Sequence, residues 1–339
     1  MSQSPLQEAS ISNESFLNIA SLLKGTGDPL RLEILRALKT DSLGVQELCN
    51  IFDIKQSGMS HHLKVLAKAG AVTTRREGNS IFYRRVLADS QTMFGQLLES
   101  LYQAIDVVSL STSVLDNIQR VKQQRADAAK LFFNKHASQF REQQESIAPF
   151  AQYADNAKDL LLHTLNNSSN KPAYIIEIGP GEGAFLQMLS PLCDQVVALD
   201  ISEEMLDKAQ SYCQEQALAN ITFMLGDTQT ALNEKLCADH IVCNMVLHHV
   251  PSPADVFNDS AKLLGNGGSL IVTDLCRHDQ SWAVDNCGDL WLGFEPDELS
   301  QWAAAAGFED KESLYLGLRN GFQVQVRRFE ISNEIKRNK

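Results

Sequence analysis

The stretch Ile175-Ile-Glu-Ile-Gly-Pro-Gly-Glu-Gly183, followed by Val196-Val-Ala-Leu-Asp200, decides how this chain folds. Its apolar start predicts a buried strand, its glycines a tight turn, Ala184 onward a helix start, and the second run a strand closed by an acid. That order is the entrance to a nucleotide-type site in an α/β sheet. Downstream, strand-like and helix-like segments alternate to about residue 275, which predicts a parallel sheet. The closing run Ser313-Leu-Tyr-Leu-Gly-Leu-Arg-Asn320-Gly321-Phe-Gln-Val-Gln-Val-Arg327 carries an Asn-Gly hairpin signal, so an antiparallel pair is expected at the sheet's end. A polar break, Asn166-Asn-Ser-Ser-Asn170, precedes the unit, which is assigned to residues 166–339.

The glycine turn admits two kinds of ligand. Gly179-x-Gly181-x-x-Ala184, with Asp200 about 20 residues on, fits the dinucleotide fingerprint. Three features favour S-adenosylmethionine over NAD. Glu177 stands two residues before Gly179, at the carboxyl end of the strand. A carboxylate there suits an ammonium and a sulfonium and repels a pyrophosphate. Leu225-Gly-Asp227-Thr follows a third strand, Ile221 to Leu225, where a carboxylate accepts a hydrogen bond from an adenine amine. The terminal hairpin is the third.

Upstream of about residue 90 the chain reads as a different machine. Phe16 to Lys24 is apolar at helical spacing. Asp28-Pro29 supplies an N-cap and a proline at the first position of an amphipathic helix, Leu30-Arg-Leu-Glu-Ile-Leu-Arg-Ala-Leu38. Val45 to Phe52 is a short helix, and Gln56 to Ala69 is another, closed by Gly70. Two strand-like runs, Ala71 to Arg76 and Ser80 to Val86, are joined by Glu77-Gly-Asn79. Helix, turn, longer helix and hairpin make a winged helix-turn-helix over residues 14–90. Its second helix should present early residues to base edges in the major groove: Gln56, Ser57, Ser60 and His61, with Lys64 a turn later. Arg75 and Arg76, with Arg84 and Arg85, fall on or beside the wing, where backbone contacts are expected. A winged helix that binds protein is the alternative.

Charge supports the division. Residues 1–125 carry 14 Lys+Arg against 12 Asp+Glu, whereas residues 126–339 carry 16 against 30. Residues 54–86 hold seven basic side chains and one acid, a plausible phosphate footprint that a solvated helix face would equally explain. No apolar run reaches about 18 residues, so no membrane span is expected. Met1-Ser-Gln-Ser-Pro lacks the pattern of a signal peptide, and seven scattered cysteines without CxxC spacing suggest reduced thiols. A cytoplasmic location is therefore expected. Residues 1–13 are Ser/Gln-rich and expected to be a disordered tail, and residues 91–165 are expected to be a helical connector with polar joints near 109–113 and 134–144.

Two resemblances extend this reading. Gln56-Ser-Gly-Met-Ser-His-His-Leu-Lys-Val-Leu-Ala-Lys-Ala-Gly-Ala-Val72 resembles the recognition helix of ArsR-family repressors, and Asp28-Pro-Leu-Arg-Leu-Glu-Ile-Leu35 that family's second helix. This resemblance implies a homodimer on double-stranded operator DNA. Residues 130–339 resemble class I S-adenosylmethionine-dependent methyltransferases, a Rossmann-like fold with a terminal antiparallel hairpin. The matching motifs include Asp200-Ile-Ser-Glu-Glu-Met-Leu206, Asp239-His-Ile-Val-Cys-Asn244-Met-Val-Leu-His-His-Val250 and Leu264-Gly-Asn-Gly-Gly268-Ser-Leu-Ile-Val-Thr273. By position, the resemblance assigns Glu177, Gly179 and Gly181 to the methionine end of S-adenosylmethionine or S-adenosylhomocysteine. It assigns Asp200 to the ribose, Ile201 and Asp227 to the adenine, and Asn244 to the methionine side. The segment from Leu290 to Leu299 resembles methyltransferases fused to ArsR domains.

Many ArsR relatives sense metals. Here the family's Glu-Leu-Cys-x-Cys-Asp box reads Glu47-Leu-Cys49-Asn-Ile51-Phe-Asp53, and Asp89 to Val108 contains no histidine. No metal site is therefore expected. His248 and His249 stand where a methyl acceptor would approach and are candidate general bases, although they equally suit a structural cap on the strand. Trp282, Trp291, Phe294 and His278 are candidates for a lid or acceptor wall. The acidic C-terminal half, and Asn244-Met-Val-Leu in place of an Asn/Asp-Pro-Pro-aromatic motif, argue against nucleic acid as acceptor. The expected protein is a repressor whose methyltransferase-like domain binds an adenosyl ligand and controls methionine or methyl-cycle genes. The alternative is a working methyltransferase of a small molecule that regulates its own expression.

Overall fold

The computed structural model describes residues 5–89, 91–136, 140–165 and 174–332. Contacts divide the chain into two compact units, residues 1–124 and 125–339.

The first unit contains α1 (Pro5–Thr26), α2 (Pro29–Ala37), α3 (Val45–Phe52), α4 (Gln56–Lys68) and α5 (Met93–Asp106), and a three-stranded sheet of β1 (Leu43–Gly44), β2 (Val72–Glu77) and β3 (Ser80–Arg85) in the order β1-β3-β2. Local chemistry starts and stops these elements as the sequence indicates. Asp28 accepts a hydrogen bond from Arg31 N at 3.1 Å, with Pro29 at the first helical position of α2. Gly70, at φ 70°, turns the chain out of α4 in a left-handed conformation that favours glycine. Leu22, Ile34, Leu35, Leu48, Met59, Leu63, Leu66 and Leu98 make one core. Residues 5–13, expected to be a disordered tail, are instead the start of α1. They contain no helix-breaking residue after Pro5, so the helix seeded by the apolar run from Phe16 extends back through them.

A long helix, α6 (Thr112–His136), contains the boundary between the units. The second unit continues with α7 (Phe140–Ile147) and α8 (Phe150–Leu165). The break between α5 and α6 falls at the first polar joint seen in the sequence, and residues 137–139, within the second, lie outside the described residues. The polar break at residues 166–170 lies outside the described residues.

Seven strands then form one sheet: β4 (Tyr174–Ile178), β5 (Gln195–Asp200), β6 (Ile221–Leu225), β7 (Ala238–Asn244), β8 (Leu264–Leu275), β9 (Phe308–Gly317) and β10 (Gln323–Ile331). Their order is β6-β5-β4-β7-β8-β10-β9, parallel from β6 to β8, with β10 antiparallel to both β8 and β9. The order reverses at β4, so the carboxyl ends of β4, β5 and β7 meet at the switch point where such sheets bind ligands. The connecting helices are α9 (Ala184–Leu189), α10 (Glu203–Glu215), α11 (Thr228–Asn233), α12 (Pro253–Leu263), α13 (Trp282–Cys287) and α14 (Pro296–Ala306). The central strands are buried on both faces and read as continuous apolar runs for that reason.

The Asn-Gly signal marks a real hairpin, but its loop spans Leu318 to Phe322 and is closed by Leu318 N donating to Phe322 O at 2.8 Å. Asn320 is not simply a turn residue. Its Nδ2 donates to Ser146 O at 2.9 Å and Ile147 O at 2.8 Å, satisfying carbonyls at the end of α7.

Candidate functional site

In the second unit the glycine turn makes room by discarding side chains. Gly179, Gly181 and Gly183 have φ values of 65°, 57° and 91°. A Cβ at Gly179 would stand 2.4 Å from Val246 Cγ2, so the β4 turn and the segment after β7 approach as closely as glycine permits. At Gly183 an added Cβ would meet Ala209 Cα at 3.2 Å, which lets α9 pack against α10.

Polar side chains without partners gather around this turn. Glu177 is 1 % exposed, and its Oε2 has no hydrogen-bond partner. Burial pushes its carboxyl up to about 8. Asn244, the last residue of β7, has both side-chain polar atoms buried and unpartnered, and so has the hydroxyl of Thr273, its register partner on β8. The next residue, Asp274, keeps Oδ2 unpartnered in the core. Buried polar groups are nearly always satisfied, and each such atom costs about 1–3 kcal/mol. Five such atoms, on four residues at the carboxyl ends of the adjacent strands β4, β7 and β8, make a cradle for a polar ligand. With Glu177 in its wall, an ionised carboxylate there would favour a cationic ligand. Met245, at the rim, is held at φ 56°, a strained conformation for a side chain of its size.

The other assigned residues flank the cradle. Asp200 closes β5, and its Oδ1 accepts from Ser202 N at 2.9 Å. Burial raises its carboxyl to about 6, with the Ser202 and Ile201 amides opposing. Ile201 follows it, half-buried. Asp227 follows β6 but is engaged locally: its Oδ1 accepts from Thr230 N at 2.9 Å and Thr230 Oγ1 at 3.0 Å, capping α11. Its edge position is as the sequence indicates, and the capping role was not read there.

His248 and His249 occupy a tight turn after β7, with ring centroids 4.0 Å apart. Nδ1 of His248 lies 2.8 Å from Asp274 Oδ1, and Nε2 lies 3.9 Å from Asp289 Oδ1. Burial opposes the charge on His248, but Asp274 and Asp289 outweigh it and lift the imidazole to about 9. Burial and the neighbouring His248 drive His249 well down, so it is neutral. Asp274 and Asp289 were not singled out in the sequence. Asp274 was legible as an acid at a strand's carboxyl end, whereas nothing in the sequence marks Asp289.

The proposed aromatic wall separates into two groups. Trp291 and Phe294 are 3 % and 1 % exposed, and Trp291 Nε1 donates to Val250 O at 2.8 Å, so both are core. Trp282 and His278 instead pack edge-on against Phe322, at 5.8 and 4.7 Å.

In the first unit, Gln56, Ser57, Ser60, His61 and Lys64 are all exposed, while Met59, Leu63 and Leu66 on the other side of α4 are buried. The spacing therefore puts every candidate base-reading side chain on one outward stripe. Arg76 is exposed on the wing. Arg75 is not: it is 6 % exposed and ion-paired with Glu77, which corrects its assignment to DNA. Alternation along β2 puts residues 75 and 77 on the same inner face. Arg85 likewise turns inward, to Asp106 at 2.6 Å and to Leu35 O at 2.6 Å.

Comparison with known proteins places both units. Residues 140–313 match the family described as "Methyltransferase domain", and residues 28–74 match "Bacterial regulatory protein, arsR family". A ubiquinone biosynthesis O-methyltransferase of Coxiella burnetii is 26% identical over 150 residues, 40% of this chain and 64% of that protein. The chain thus spans somewhat less than two thirds of that relative's length. A protein of the same name from Xanthomonas axonopodis is 24% identical over 225 residues, 57% of this chain and 94% of that one. The crystal structure of magnesium protoporphyrin IX methyltransferase from Synechocystis with bound SAM covers the same fold, with TM-score 0.50 and 17% identity over 61% of this chain and 97% of that one. The sheet order and the hairpin are therefore those of a class I methyltransferase fold, joined in one chain to an ArsR-type helix-turn-helix.

Proposed function

The chain belongs to the methyltransferase-domain family, and from that premise we propose that it is a DNA-binding transcriptional regulator, a repressor, whose second unit senses S-adenosylmethionine or S-adenosylhomocysteine. The observation that carries this reading is the co-occurrence, in one chain, of an outward stripe of base-reading side chains on α4 and a cradle of unpartnered buried polar atoms at the sheet's switch point. The residues present fit the ligand. Glu177 and Asn244 would hold the methionine end, Gly179 and Gly181 would allow close backbone approach, and Asp200 would take the ribose. Ile201 and Asp227 would flank the adenine. When bound, S-adenosylmethionine supplies an activated methyl group. What the chain supplies is orientation, a dry acidic wall and, at His249, a neutral imidazole.

Gln56, Ser57, Ser60, His61, Lys64 and Arg76 would face operator DNA. A homodimer is supported by apolar side chains left exposed on α1 and α5, Phe16, Leu17 and Leu23 with Met93. Residues 91–165 would connect ligand state to DNA affinity, since a ligand controls an equilibrium only by binding its two states differently. The regulated genes would belong to methionine or methyl-cycle metabolism, and the protein would work in the cytoplasm.

The test is DNA-binding anisotropy on the protein's own promoter fragment, titrated with each adenosyl ligand at fixed salt. A ligand-dependent change in affinity that is lost in Asp200→Ala supports the reading. Ligand binding confirmed by calorimetry, without any change in DNA affinity, overturns it. A second reading, a working methyltransferase acting on a small molecule, is favoured by the His248–Asp274–Asp289 cluster beside the cradle. It requires S-adenosylhomocysteine to form in cell extract and to stop forming in Asp200→Ala.

A further inference from the structure

We propose that His248, His249 and Asp289 form a binding site for a divalent transition-metal cation, a site the sequence gives no reason to expect. The inference goes beyond the regulator reading and does not depend on it.

One ligand atom from each of the three residues lies within 4.8 Å of the others. Asp289 Oδ1 is 3.9 Å from His248 Nε2 and 3.7 Å from His249 Nδ1. It therefore faces two imidazole nitrogens and is within hydrogen-bond distance of neither. That spacing is what a cation between them needs. Bonds of about 2.0–2.1 Å in tetrahedral geometry put ligand atoms roughly 3.4 Å apart, so the two carboxylate–imidazole pairs close by a few tenths of an ångström and the imidazole pair, within 4.8 Å, by up to about 1.4 Å.

The surroundings have the second layer that metal sites require. Asp274 Oδ1 accepts from His248 Nδ1 at 2.8 Å, which fixes the ring and leaves Nε2 as the lone-pair nitrogen. His249 is held edge-on by Phe133, with centroids 4.9 Å apart. Its Nδ1 is 3.3 Å from Gly288 O, a long contact that would be given up as the proton moves to Nε2. Two imidazoles and one carboxylate are borderline ligands that suit zinc, iron, cobalt or nickel and not calcium or magnesium. Three protein ligands leave at least one position open, as catalytic sites do. The contrast with His61 and His62 is instructive. They are also adjacent, but their centroids are 5.9 Å apart, and no third ligand joins them among the described residues.

The cation would tie the turn after β7 to the segment after α13, beside the cradle. Leu290 N and Trp291 N already donate to His248 O, at 2.9 and 3.1 Å, so the two segments are in register before any ion binds.

The test uses the full chain, stripped with a chelator and titrated with Co2+ and then Zn2+. The expected result is one Co2+ per chain with visible d–d absorption and no thiolate charge-transfer band, displaced by Zn2+. His249→Gln and Asp289→Asn should each weaken Co2+ binding at least about tenfold, and Asp274→Asn by about 10–100-fold through the loss of His248's orientation. His249 is the least enclosed ligand, so its variant keeps the test valid if Asp289→Asn fails to fold; circular dichroism melts check both. Equal Co2+ binding by the stripped parent and a folded His249→Gln chain overturns the proposal. So does a thiolate band, or the absence of Co2+ uptake by the parent.

Discussion

A Cβ placed on Gly179 would stand 2.4 Å from Cγ2 of Val246, so the turn after β4 and the segment after β7 share space that only a missing side chain provides. Gly179 also sits at φ 65°. Gly179→Ala should therefore destabilise the chain by about 1–3 kcal/mol, seen in chemical denaturation. Adding Val246→Ala removes the clash but not the backbone strain, so it should restore only part of the loss. Full restoration would mean that φ contributes nothing there.

Glu177→Gln should separate binding from stability. The carboxylate is buried without a partner at Oε2, so replacing it removes a desolvation cost and the ligand-free chain should melt at a higher temperature. The same change removes the partner of a cationic ligand, and affinity for S-adenosylmethionine in calorimetry should fall about tenfold or more. A variant that binds as well as the parent would remove Glu177 from the site.

The pH dependence has a definite sign. Glu177 and Asp200 are raised from 4.5 to about 8 and from 3.8 to about 6. Between those limits the folded chain holds protons that the unfolded chain has released, so the stability these two groups contribute falls as pH rises. Denaturant midpoints of the ligand-free protein should drop from pH 5 to pH 8, and the upper part of that drop should vanish in Glu177→Gln. Affinity for a cationic ligand should move the other way, rising as Glu177 ionises.

The basic residues of the first unit should divide into two classes. Arg76→Ala, on the wing where backbone contacts are expected, should weaken binding to all DNA sequences alike and lower the salt slope by about 1, with little effect on melting. Arg85→Ala should do the reverse. It strands Asp106, whose carboxyl Arg85 and Lys39 hold below the usual range against the opposing effect of burial, and it should cost about 3 kcal/mol of stability. Anisotropy across salt concentrations and a thermal melt on each variant decide it.

Asn320→Ala removes both side-chain bonds to the end of α7 and leaves two carbonyls to find other partners. A loss of about 1–2 kcal/mol is expected in chemical denaturation, with no effect on DNA binding.

Much of the fold and of the cradle was legible because local chemistry and tertiary outcome agree there. Alternating glycines after an apolar run leave one structural reading for residues 175–183, a buried strand and a tight turn, although they admit two kinds of ligand; Asp200 and Asp227 fall at the ends of strands whose apolar pattern is unmistakable. The outward stripe of polar side chains on α4 followed from helical spacing. Burial was harder to read. Arg75 and Arg76 are neighbours with the same charge, and only the pleat of β2 sends one inward to Glu77 and the other to solvent.

Spacing over a few residues was enough for the two-part architecture, the parallel sheet with its closing hairpin, and an acid, Glu177, just before the glycine turn. Tertiary structure alone decided which polar atoms are left without partners, and that Asp274 and Asp289 close on His248 from opposite ring nitrogens. Those residues lie 26 and 41 positions from His248, joined to it through sheet register and a loop crossing that no local pattern encodes. Desolvation, which sets the protonation of Glu177, Asp200 and His249, depends on everything packed around a group and is not a property of its neighbours in the chain.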